Sequence, residues 1–425
     1  MENLEEAVVQ RFLKYVQINT ESANGTGRVP STERQFDLAR VLEKELKEIG
    51  AKDAWLDEKA CVVYGVIPSN LDEGQGRTVG YIAHMDTAPD APGGPVHPWI
   101  LRNYDGGDIV LNRERGIVMR AADYPGLQDY IGNDLVLTDG TTLLGGDDKA
   151  AIAAIMTMAD YCASHPEYRH GKICIAFTPD EEVGGLAKNL DLRRFGSPTA
   201  YTLDGDHLGY YEDETFNASE AEITIRGLSV HTGTAKGIMK NAVDIGAELM
   251  SLLPALEKPR YTEGREGFFH VVSFHGECEK AVLRILVRDH SAEQFAIREA
   301  MLRTAVEQIN RHWGEDTAEI VITPTYRSMK EAVSRCPFLI ENLRTAIRNC
   351  GLEPKSIAFR GGTDGSALSQ RGLPCPNLSA GYENAHGRFE YVPVQSMAKN
   401  VEILLELNTI CSRQNDGETE TSERS

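Results

Sequence analysis

The amino-acid sequence predicts an α/β fold with a smaller α+β domain inserted into it. In the first half of the chain, helical patterns alternate with β-rich runs. Residues 148–162 form a helical pattern, and 173–177 are a continuous apolar run typical of a strand buried on both faces. Between 216 and 324 the predicted order is strand, helix, two strands, helix, strand, which is the ferredoxin-like order. Residues 337–366 then resume the α/β character.

The elements of the larger domain can be taken in chain order. Residues 4–17 and 33–49 have the periodicity of amphipathic helices, and β-rich runs follow at 60–67 and 78–84. The stretch 88–130 is rich in Pro, Gly and Asp. We therefore expect it to be a long surface excursion with little regular structure.

The inserted domain has its own run of elements. We expect strands at 219–226, 268–275, 280–288 and 318–323, and helices at 240–253 and 292–312. This divides the chain into a discontinuous larger domain, 1–215 and 325–411, and an insertion, 216–324. The polar tail 412–425 is expected to be disordered.

Composition excludes several classes of partner. The formal net charge of −20 argues against nucleic-acid binding, because a phosphate backbone would be repelled. No apolar run approaches the length of a membrane span, and the N-terminus lacks the features of a signal peptide. The eight cysteines contain no CxxC pair and are interpreted as reduced thiols. We expect a cytoplasmic protein that binds neither nucleic acid nor membrane.

Acidic and histidine-containing fragments lie where predicted strands end. They are His84-Met85-Asp86, Gly145-Gly146-Asp147-Asp148-Lys149, Asp180-Glu181-Glu182, Leu203-Asp204-Gly205 and Ala385-His386-Gly387. Each fragment alone is more often a solvated turn or a core histidine satisfied by a turn acid. Together they supply the ligands for two divalent cations that share a bridging carboxylate, with one spare acid to act as a general base. The sequence therefore predicts a dinuclear metallohydrolase.

The spacing of these residues suggests how they divide the work. His84 and Asp86 are two residues apart and face the same side of a strand, so Asp86 is placed to orient the His84 ring. Asp147 follows two glycines and is the candidate bridging ligand. Glu181 and Glu182 are adjacent and point in different directions. One of them can bind a metal while the other stays free to accept a proton.

Charge balance favours two cations over one. Asp147, Glu182 and Asp204 with a bridging hydroxide supply the negative charge that two divalent cations balance. Without a metal, the three acids would raise one another's pKa. Mixed histidine and carboxylate ligation suits Zn²⁺, with Mn²⁺ or Co²⁺ feasible on the same ligands.

Several fragments resemble a known family. HMDTAPD, TLLGGDDKAAIAAIM, AFTPDEEVG, YTLDGD, VHTGTAKG, RGGTDG and GLPCPNL, with VPSTE at 29–33, are similar to the dinuclear-zinc peptidase family that includes glutamate carboxypeptidases and aminoacylases. The matches keep the family's order from about residue 10 to 410, and they are most similar to its tripeptide aminopeptidases. The chain departs from the family at Asp206-His207, where glycines are usual.

The resemblance implies a role for each fragment. It implies that His84 and Asp204 bind the first of two zinc ions and that Glu182 and His386 bind the second. Asp147 would bridge the two ions. Asp86 would orient His84, and Glu181 would be the general base and acid. It also implies an α/β zinc-binding domain with an inserted lid that dimerises. A homodimer formed through the inserted domain is therefore expected.

Three residues outside the metal set are candidates for substrate contacts. The resemblance implies that His231 stabilises the oxyanion, whereas a histidine before Thr-Gly-Thr is ordinarily a turn residue. Arg360 and Arg288 are candidates for binding a substrate carboxylate, because arginine forms a bidentate fork. Asp289 is an alternative partner for Arg288.

The activity implied by the resemblance is removal of the N-terminal residue from short peptides, tripeptides above all. A dipeptidase or an N-acyl amino-acid deacylase is the alternative within enzymes, and free and N-blocked peptides distinguish these activities. A non-catalytic metal-dependent peptide-binding protein is a third possibility. Glu181 argues against it, because a pure binder has no use for a spare acid beside the metals.

Overall fold

The computed structural model describes residues 4–185 and 187–415. The α-helices are α1 Leu4–Val16, α2 Gln35–Ile49, α3 Gly146–Ser164, α4 Leu192–Phe195, α5 Ala242–Ser251, α6 Ala292–Trp313, α7 Lys330–Ser334, α8 Pro337–Asn349, α9 Asp364–Gln370 and α10 Val394–Ser412. The β-strands are β1 Lys52–Asp57, β2 Val62–Ile67, β3 Val79–His84, β4 Trp99–Leu101, β5 Ile109–Asn112, β6 Ile117–Met119, β7 Leu135–Leu137, β8 Ile173–Thr178, β9 Ala200–Leu203, β10 Tyr210–Thr215, β11 Asn217–Arg226, β12 Phe268–Gly276, β13 Lys280–Asp289, β14 Ala318–Tyr326, β15 Lys355–Phe359, β16 Asn377–Leu378 and β17 Val392–Pro393.

The chain divides into two compact units. Of the described residues, the first comprises 4–185, 187–213, 331–357 and 363–415, and the second comprises 214–330 and 358–362. The insertion expected at 216–324 lies within the second unit. Of the tail expected to be disordered, residues 416–425 lie outside the described residues, and Ser412 is the last residue of α10.

The first unit is built on a mixed sheet. Over the described residues its strand order is β1-β2-β8-β3-β9-β16-β10-β15. The strands β8, β3, β9 and β16 are parallel, whereas β2 pairs antiparallel with both β1 and β8. The two-residue strand β16 lies between β9 and β10, although it comes from near the C-terminal end of the chain. The predicted α/β fold class is confirmed.

Alternate strand residues face two hydrophobic clusters. Ile175 and Phe177 of β8 join the larger cluster with buried residues of α1, α2, α3, α8 and α10. Cys174 and Ala176 of the same strand join a smaller cluster with residues such as Phe195 and Leu368. Burial on both faces explains the continuous apolar run of β8. Helix α3 is buried over most of its length, which explains its apolar residues all round.

The stretch 88–130 is more ordered than its composition indicates. It contains the hairpin of β5 and β6, and β4 joins β7 and β17 in a three-stranded sheet. Ile109 and Leu111 on alternate positions of β5 pack into a small cluster with Met119 and Tyr391. The expectation of little regular structure is wrong here. Short strands of this kind depend on a long-range partner that composition does not reveal.

The second unit has the predicted ferredoxin-like order, β11-α5-β12-β13-α6-β14. Its antiparallel sheet has the strand order β12-β13-β11-β14. Ala221, Ile223 and Ile225 alternate inward on β11 and pack in the cluster that holds the buried residues of α5 and α6. No helix in the described part of the chain is long and apolar enough to cross a membrane.

Candidate metal centre

The carboxyl ends of three parallel strands lie side by side in the first unit. His84 ends β3 and is paired in register with Thr178, which ends β8. Strand β9 is parallel to β3 and ends at Leu203. The segments that follow carry Asp86, Glu181–Glu182 and Asp204. Open α/β sheets bind ligands at this edge, as the sequence predicted.

Asp147 lies between two imidazoles. Its Oδ1 is 2.9 Å from His84 Nε2, and its Oδ2 is 3.2 Å from His386 Nε2. Gly145 precedes it in a left-handed conformation (φ 82°), and Asp147 itself is non-helical (φ −77°, ψ 103°). The side chain therefore projects from the turn that leads into α3. A carboxylate with one histidine at each oxygen has the geometry of a bridging ligand.

Two ligand sets overlap in this carboxylate. The first consists of His84, Asp147 and Asp204, and the second of Asp147, Glu182 and His386. Within each set, one ligand atom from each residue lies within 4.8 Å of the others. His386 Nε2 is 2.9 Å from Glu182 Oε2, and His84 Nε2 is 3.8 Å from Asp204 Oδ1. The structure thus brings together all five residues predicted as metal ligands.

Asp86 contacts the segment that carries the adjacent glutamates. Its carboxylate accepts the backbone N–H of Glu181 at 2.9 Å and of Glu182 at 3.2 Å. His84 Nδ1 is 3.1 Å from the backbone oxygen of Asp86 and 3.4 Å from its Oδ1. The nearer acceptor for the ring is therefore the backbone carbonyl. The carboxylate, which was predicted only to orient His84, also fixes the backbone beside Glu181.

A second buried acid supports the same turn from the other side. Asp180 has a left-handed backbone (φ 62°), and its carboxylate accepts the N–H of Ser31 at 2.9 and 2.8 Å. Gln35 Nε2 donates to the same carboxylate at 2.7 Å. Ser31 belongs to the segment 29–33 that matched the family, so this segment contacts the turn that carries the adjacent glutamates.

The centre carries an excess of carboxylates. Burial raises the pKa of Glu181 well above its ordinary value, and the charges of Asp204 and Asp364 raise it further. Burial, together with the charge of Asp147, raises the pKa of Glu182 to about 8. Buried acids that oppose one another's ionisation in this way mark a position that favours cations.

The same carboxylates favour the charged form of the two imidazoles. Hydrogen bonds to Asp147 and Glu182 raise the pKa of His386 to about 11. Burial alone would lower the pKa of His84, but its hydrogen bonds to neighbouring carboxylates, Asp147 first, outweigh burial and raise it well above the ordinary value. The carboxylates of the centre therefore stabilise positive charge on either imidazole.

These donors fit two divalent cations. Each set offers imidazole nitrogen and carboxylate oxygen, which suit Zn²⁺, Mn²⁺ and Co²⁺. Glu182 uses Oε2 toward His386, while its buried Oε1 has no hydrogen-bond partner among the described residues. An unsatisfied buried carboxylate oxygen is costly unless it binds a cation or a donor. The donor set and this oxygen are both consistent with metal binding.

The remaining predicted residues lie in the second unit. His231 is exposed, and its Nδ1 accepts the N–H of Gly233 at 3.2 Å, as in an ordinary turn. Arg288 donates through Nη1 to the carbonyls of Ser219 and Val287.

Arg360 ties down a nearby loop of the second unit. Its Nη1 donates to the carbonyls of Gly264 and Glu266 at 2.9 and 2.8 Å, and its Nη2 donates to Thr262 Oγ1 at 2.8 Å. The guanidinium lies 5.1 Å from the Phe216 ring centroid.

The sequence did not reveal two residues that contact the ligands. Tyr382 donates its hydroxyl to Asp204 Oδ1 at 3.0 Å. Glu390 accepts the backbone N–H of Asp147 at 2.8 Å. Both are buried and lie far along the chain from their partners. The sequence feature that could have indicated them is their position, since both lie within four residues of His386.

Two ligand sets that overlap in a single carboxylate are the arrangement of dinuclear metallohydrolases, and this is the class that the fold and the site define. The chain belongs to peptidase family M20/M25/M40, whose family model matches residues 144–409. The family resemblance expected from the sequence is thereby confirmed.

Individual relatives agree with this assignment. Peptidase T of Caldanaerobacter subterraneus subsp. tengcongensis is 45% identical over 400 residues, which cover 94% of this chain and 97% of that protein. Peptidase T of Geobacillus kaustophilus is 45% identical over 404 residues, covering 95% and 98%. The relatives match this chain over nearly their whole length.

Solved structures share the fold. The aminopeptidase PepT of Bacillus cereus superposes with a TM-score of 0.76 at 23% identity, covering 95% of this chain and 98% of that one. A dinuclear metal-binding peptidase of the M20 family from Bacillus subtilis superposes with a TM-score of 0.66 at 13% identity, covering 97% and 100%.

Proposed function

We propose that this chain is a metal-dependent aminopeptidase that removes the N-terminal residue from tripeptides and other short peptides. The observation that carries the proposal is the pair of overlapping ligand sets, with Glu181 close enough to interact electrostatically with Asp204, His84 and Glu182. The similarity to peptidase T proteins supports the choice of a tripeptide substrate.

Zn²⁺ is the metal that we propose, at two ions per subunit, with Mn²⁺ or Co²⁺ as feasible substitutes. His84, Asp147 and Asp204 would hold one ion, and Asp147, Glu182 and His386 the other. When bound, such ions polarise a scissile carbonyl and lower the pKa of a water molecule toward neutrality.

The chain's own residues supply the proton transfers. Glu181 accepts a proton from the attacking water and donates it to the leaving amine of the peptide. Asp86 keeps the backbone of Glu181 in place through its 2.9 Å hydrogen bond, so the carboxylate is held ready for both transfers. Glu182 is the ligand and Glu181 the base in this assignment, because only Glu182 contacts His386.

A pair of isosteric variants tests the division of labour between the two glutamates. Glu181→Gln is expected to retain both metal ions and to lose roughly 10²–10⁴-fold in kcat, which is the usual contribution of a general acid–base group. Glu182→Gln is expected to lose bound metal as well as activity. Metal content by elemental analysis and kcat on a tripeptide are the measurements. Normal turnover by Glu181→Gln with both ions bound would contradict the proposal.

A substrate panel separates the proposed activity from its alternatives. We expect cleavage of a free tripeptide and little or no cleavage of its N-acetylated form or of the corresponding dipeptide. Product analysis identifies the released residue. Preferred cleavage of the N-acetylated substrate would indicate a deacylase, and preferred cleavage of the dipeptide a dipeptidase.

Residues of the second unit are proposed to contact the substrate. His231 is proposed to stabilise the oxyanion, and Arg360 and Arg288 to bind the substrate carboxylate. The three contacts of Arg360 use three of its five N–H groups, which leaves two for a carboxylate.

The second unit is also proposed to form a homodimer in the cytoplasm. Val272 on β12 and Val321 on β14 are large exposed apolar side chains at the two edges of its sheet, which supports a contact there. Light scattering is expected to give twice the chain mass of 46.8 kDa. A mass equal to one chain would reject the dimer.

A further inference from the structure

Glu390 is a buried carboxylate whose hydrogen-bond donors, among the described residues, are backbone amides of the turn at the start of α3. Its side chain is 1% exposed. Its Oε2 accepts the N–H of Leu144 at 2.9 Å and of Gly145 at 2.7 Å. Its Oε1 accepts the N–H of Asp147 at 2.8 Å. Both oxygens are therefore committed to the segment that presents the shared ligand.

Glu390 and His386 lie in one small loop. Residues 383–391 are closed by two backbone hydrogen bonds, from Glu383 N to Tyr391 O at 2.9 Å and from Tyr391 N to Glu383 O at 3.1 Å. The N–H of Glu390 also donates to the carbonyl of Gly387 at 3.3 Å. Glu390 and His386 are thus fixed relative to one another by the loop backbone.

Asp147 is consequently held from one loop at two points. Its carboxylate faces His386, and its backbone N–H faces Glu390. The segments approach closely, because a Cβ at Gly146 would lie 3.0 Å from Glu390 Oε1. A displaced Glu390 would therefore move the carboxylate of Asp147 relative to the His386 ring.

The acid is needed for its geometry. A carboxylate offers acceptors on both oxygens and can satisfy amides on both sides. A glutamine in its place has one acceptor oxygen, so its amide NH₂ would face either Asp147 N–H or the amides of Leu144 and Gly145. Donor would then meet donor, and the turn would shift.

We propose that Glu390 is a positioning residue that sets the separation between Asp147 and His386, and through it the affinity for the ion held by Asp147, Glu182 and His386. This inference rests on the proposed function, because it requires a metal at that site.

The test compares Glu390→Gln with Glu383→Gln by zinc titration of chelator-stripped protein against a competing chromophoric chelator. Glu383 is the matched control because it lies in the same loop and is 5% exposed, but its carboxylate contacts Tyr130 and His207 instead of the turn. A His386→Ala variant identifies which of the two binding steps belongs to the second ligand set.

Glu390→Gln is expected to weaken that step on the order of 10–100-fold, the usual effect of losing an outer partner of a metal ligand, while Glu383→Gln leaves it unchanged. Equal affinity in Glu390→Gln and the unchanged chain would overturn the inference. Equal weakening in both variants would do the same, since the effect would then be general to the loop. Fewer than two zinc ions on the unchanged chain would instead refute the proposed function.

A second measurement uses the unchanged chain, so it tests the inference even if Glu390→Gln does not fold. Hydrogen exchange of residues 144–147 is followed in the unchanged chain after chelation. If the Glu390 carboxylate fixes this turn without help from a metal, the amides of Leu144, Gly145 and Asp147 are expected to be protected in the metal-free protein. Exchange at the rate of an unfolded chain would show that the turn is not preformed, and the inference would fail.

Discussion

At the scale of single residues, the centre depends most on Asp147. One carboxylate belongs to both ligand sets, and its two oxygens each face a different histidine. The two sites therefore cannot be altered independently at this position. By contrast, His84 and His386 each belong to one set, so their substitution separates the two sites.

His207, three residues after Asp204 in the sequence, gives a pH-dependent prediction. The hydrogen bond to Glu383 raises the pKa of His207 above its ordinary value. A histidine with a raised pKa contributes stability that is complete below its unfolded pKa of about 6.5 and is lost as pH rises through the folded pKa. The melting temperature of the unchanged chain should therefore exceed that of His207→Asn by more at about pH 6 than at about pH 9.

The partner supplies the control. Glu383→Gln removes the carboxylate from the 2.6 Å contact with His207. The difference in melting temperature between the unchanged chain and this variant should therefore also be smaller at about pH 9 than at about pH 6. A difference that stays constant or grows between the two pH values would contradict the role given to this ion pair.

The ligands were predictable from sequence because they sit beside features that sequence shows. His84 ends a β-rich run, Glu182 and Asp204 follow the ends of two others within four residues, and the paired glycines mark the turn at Asp147. Tyr382 and Glu390 have no such marker. Their importance comes from partners 178 and 243 residues away, and a tyrosine or glutamate near a turn is ordinarily solvated.

At the scale of elements, the first turn of α3 packs closely against β17. A Cβ at Gly146 would lie 2.5 Å from Val392 Cγ2 and 3.1 Å from Tyr382 Cβ. The first turn of the helix can approach the strand only because residue 146 has no side chain. The glycine is needed here for space.

Gly146→Ala should therefore be destabilising. Overpacking of this kind costs about 1–3 kcal/mol, and the displaced turn should also bind metal more weakly. The melting temperature and zinc affinity are the measurements. Gly126→Ala is the control, since its Cβ would meet only the Tyr391 hydroxyl, at 3.8 Å. Matching behaviour of the two variants would show that the junction tolerates the extra methyl.

Long elements were predicted more accurately than short ones. The helix expected at 292–312 is observed as Ala292–Trp313, and the helix expected at 33–49 as Gln35–Ile49. Their apolar periodicity is a property of local sequence. The strands β16 and β17 have two residues each, and they exist because a distant strand offers hydrogen bonds. No local pattern can reveal such a strand.

At the scale of the whole molecule, the ligands link distant parts of the chain. The pair Asp147 and His386 is separated by 239 residues, and the pair His84 and Asp147 by 63. A cation bound by these residues binds the folded chain and not the unfolded one. Metal binding is then coupled to the stability of the first unit.

Metal removal should therefore lower thermal stability. Stripping the protein with a chelator is expected to reduce its melting temperature, and zinc at about 100 times its dissociation constant should restore about 2.7 kcal/mol per site. Asp147→Asn is the control, because it disables both sets and should show no restoration. If the unchanged chain melts at the same temperature with and without zinc, the coupling is absent.

The position of β16 has a consequence for how the protein is made. Strand β9 gains its neighbour on that side only when residues 377–378 leave the ribosome, late in translation. Until then its backbone is an open edge, and such edges invite pairing with other nascent polypeptides. A product terminated before Asn377 would keep that edge for its lifetime, so premature stops near the 3′ end of the reading frame should yield aggregates instead of a slightly shortened enzyme.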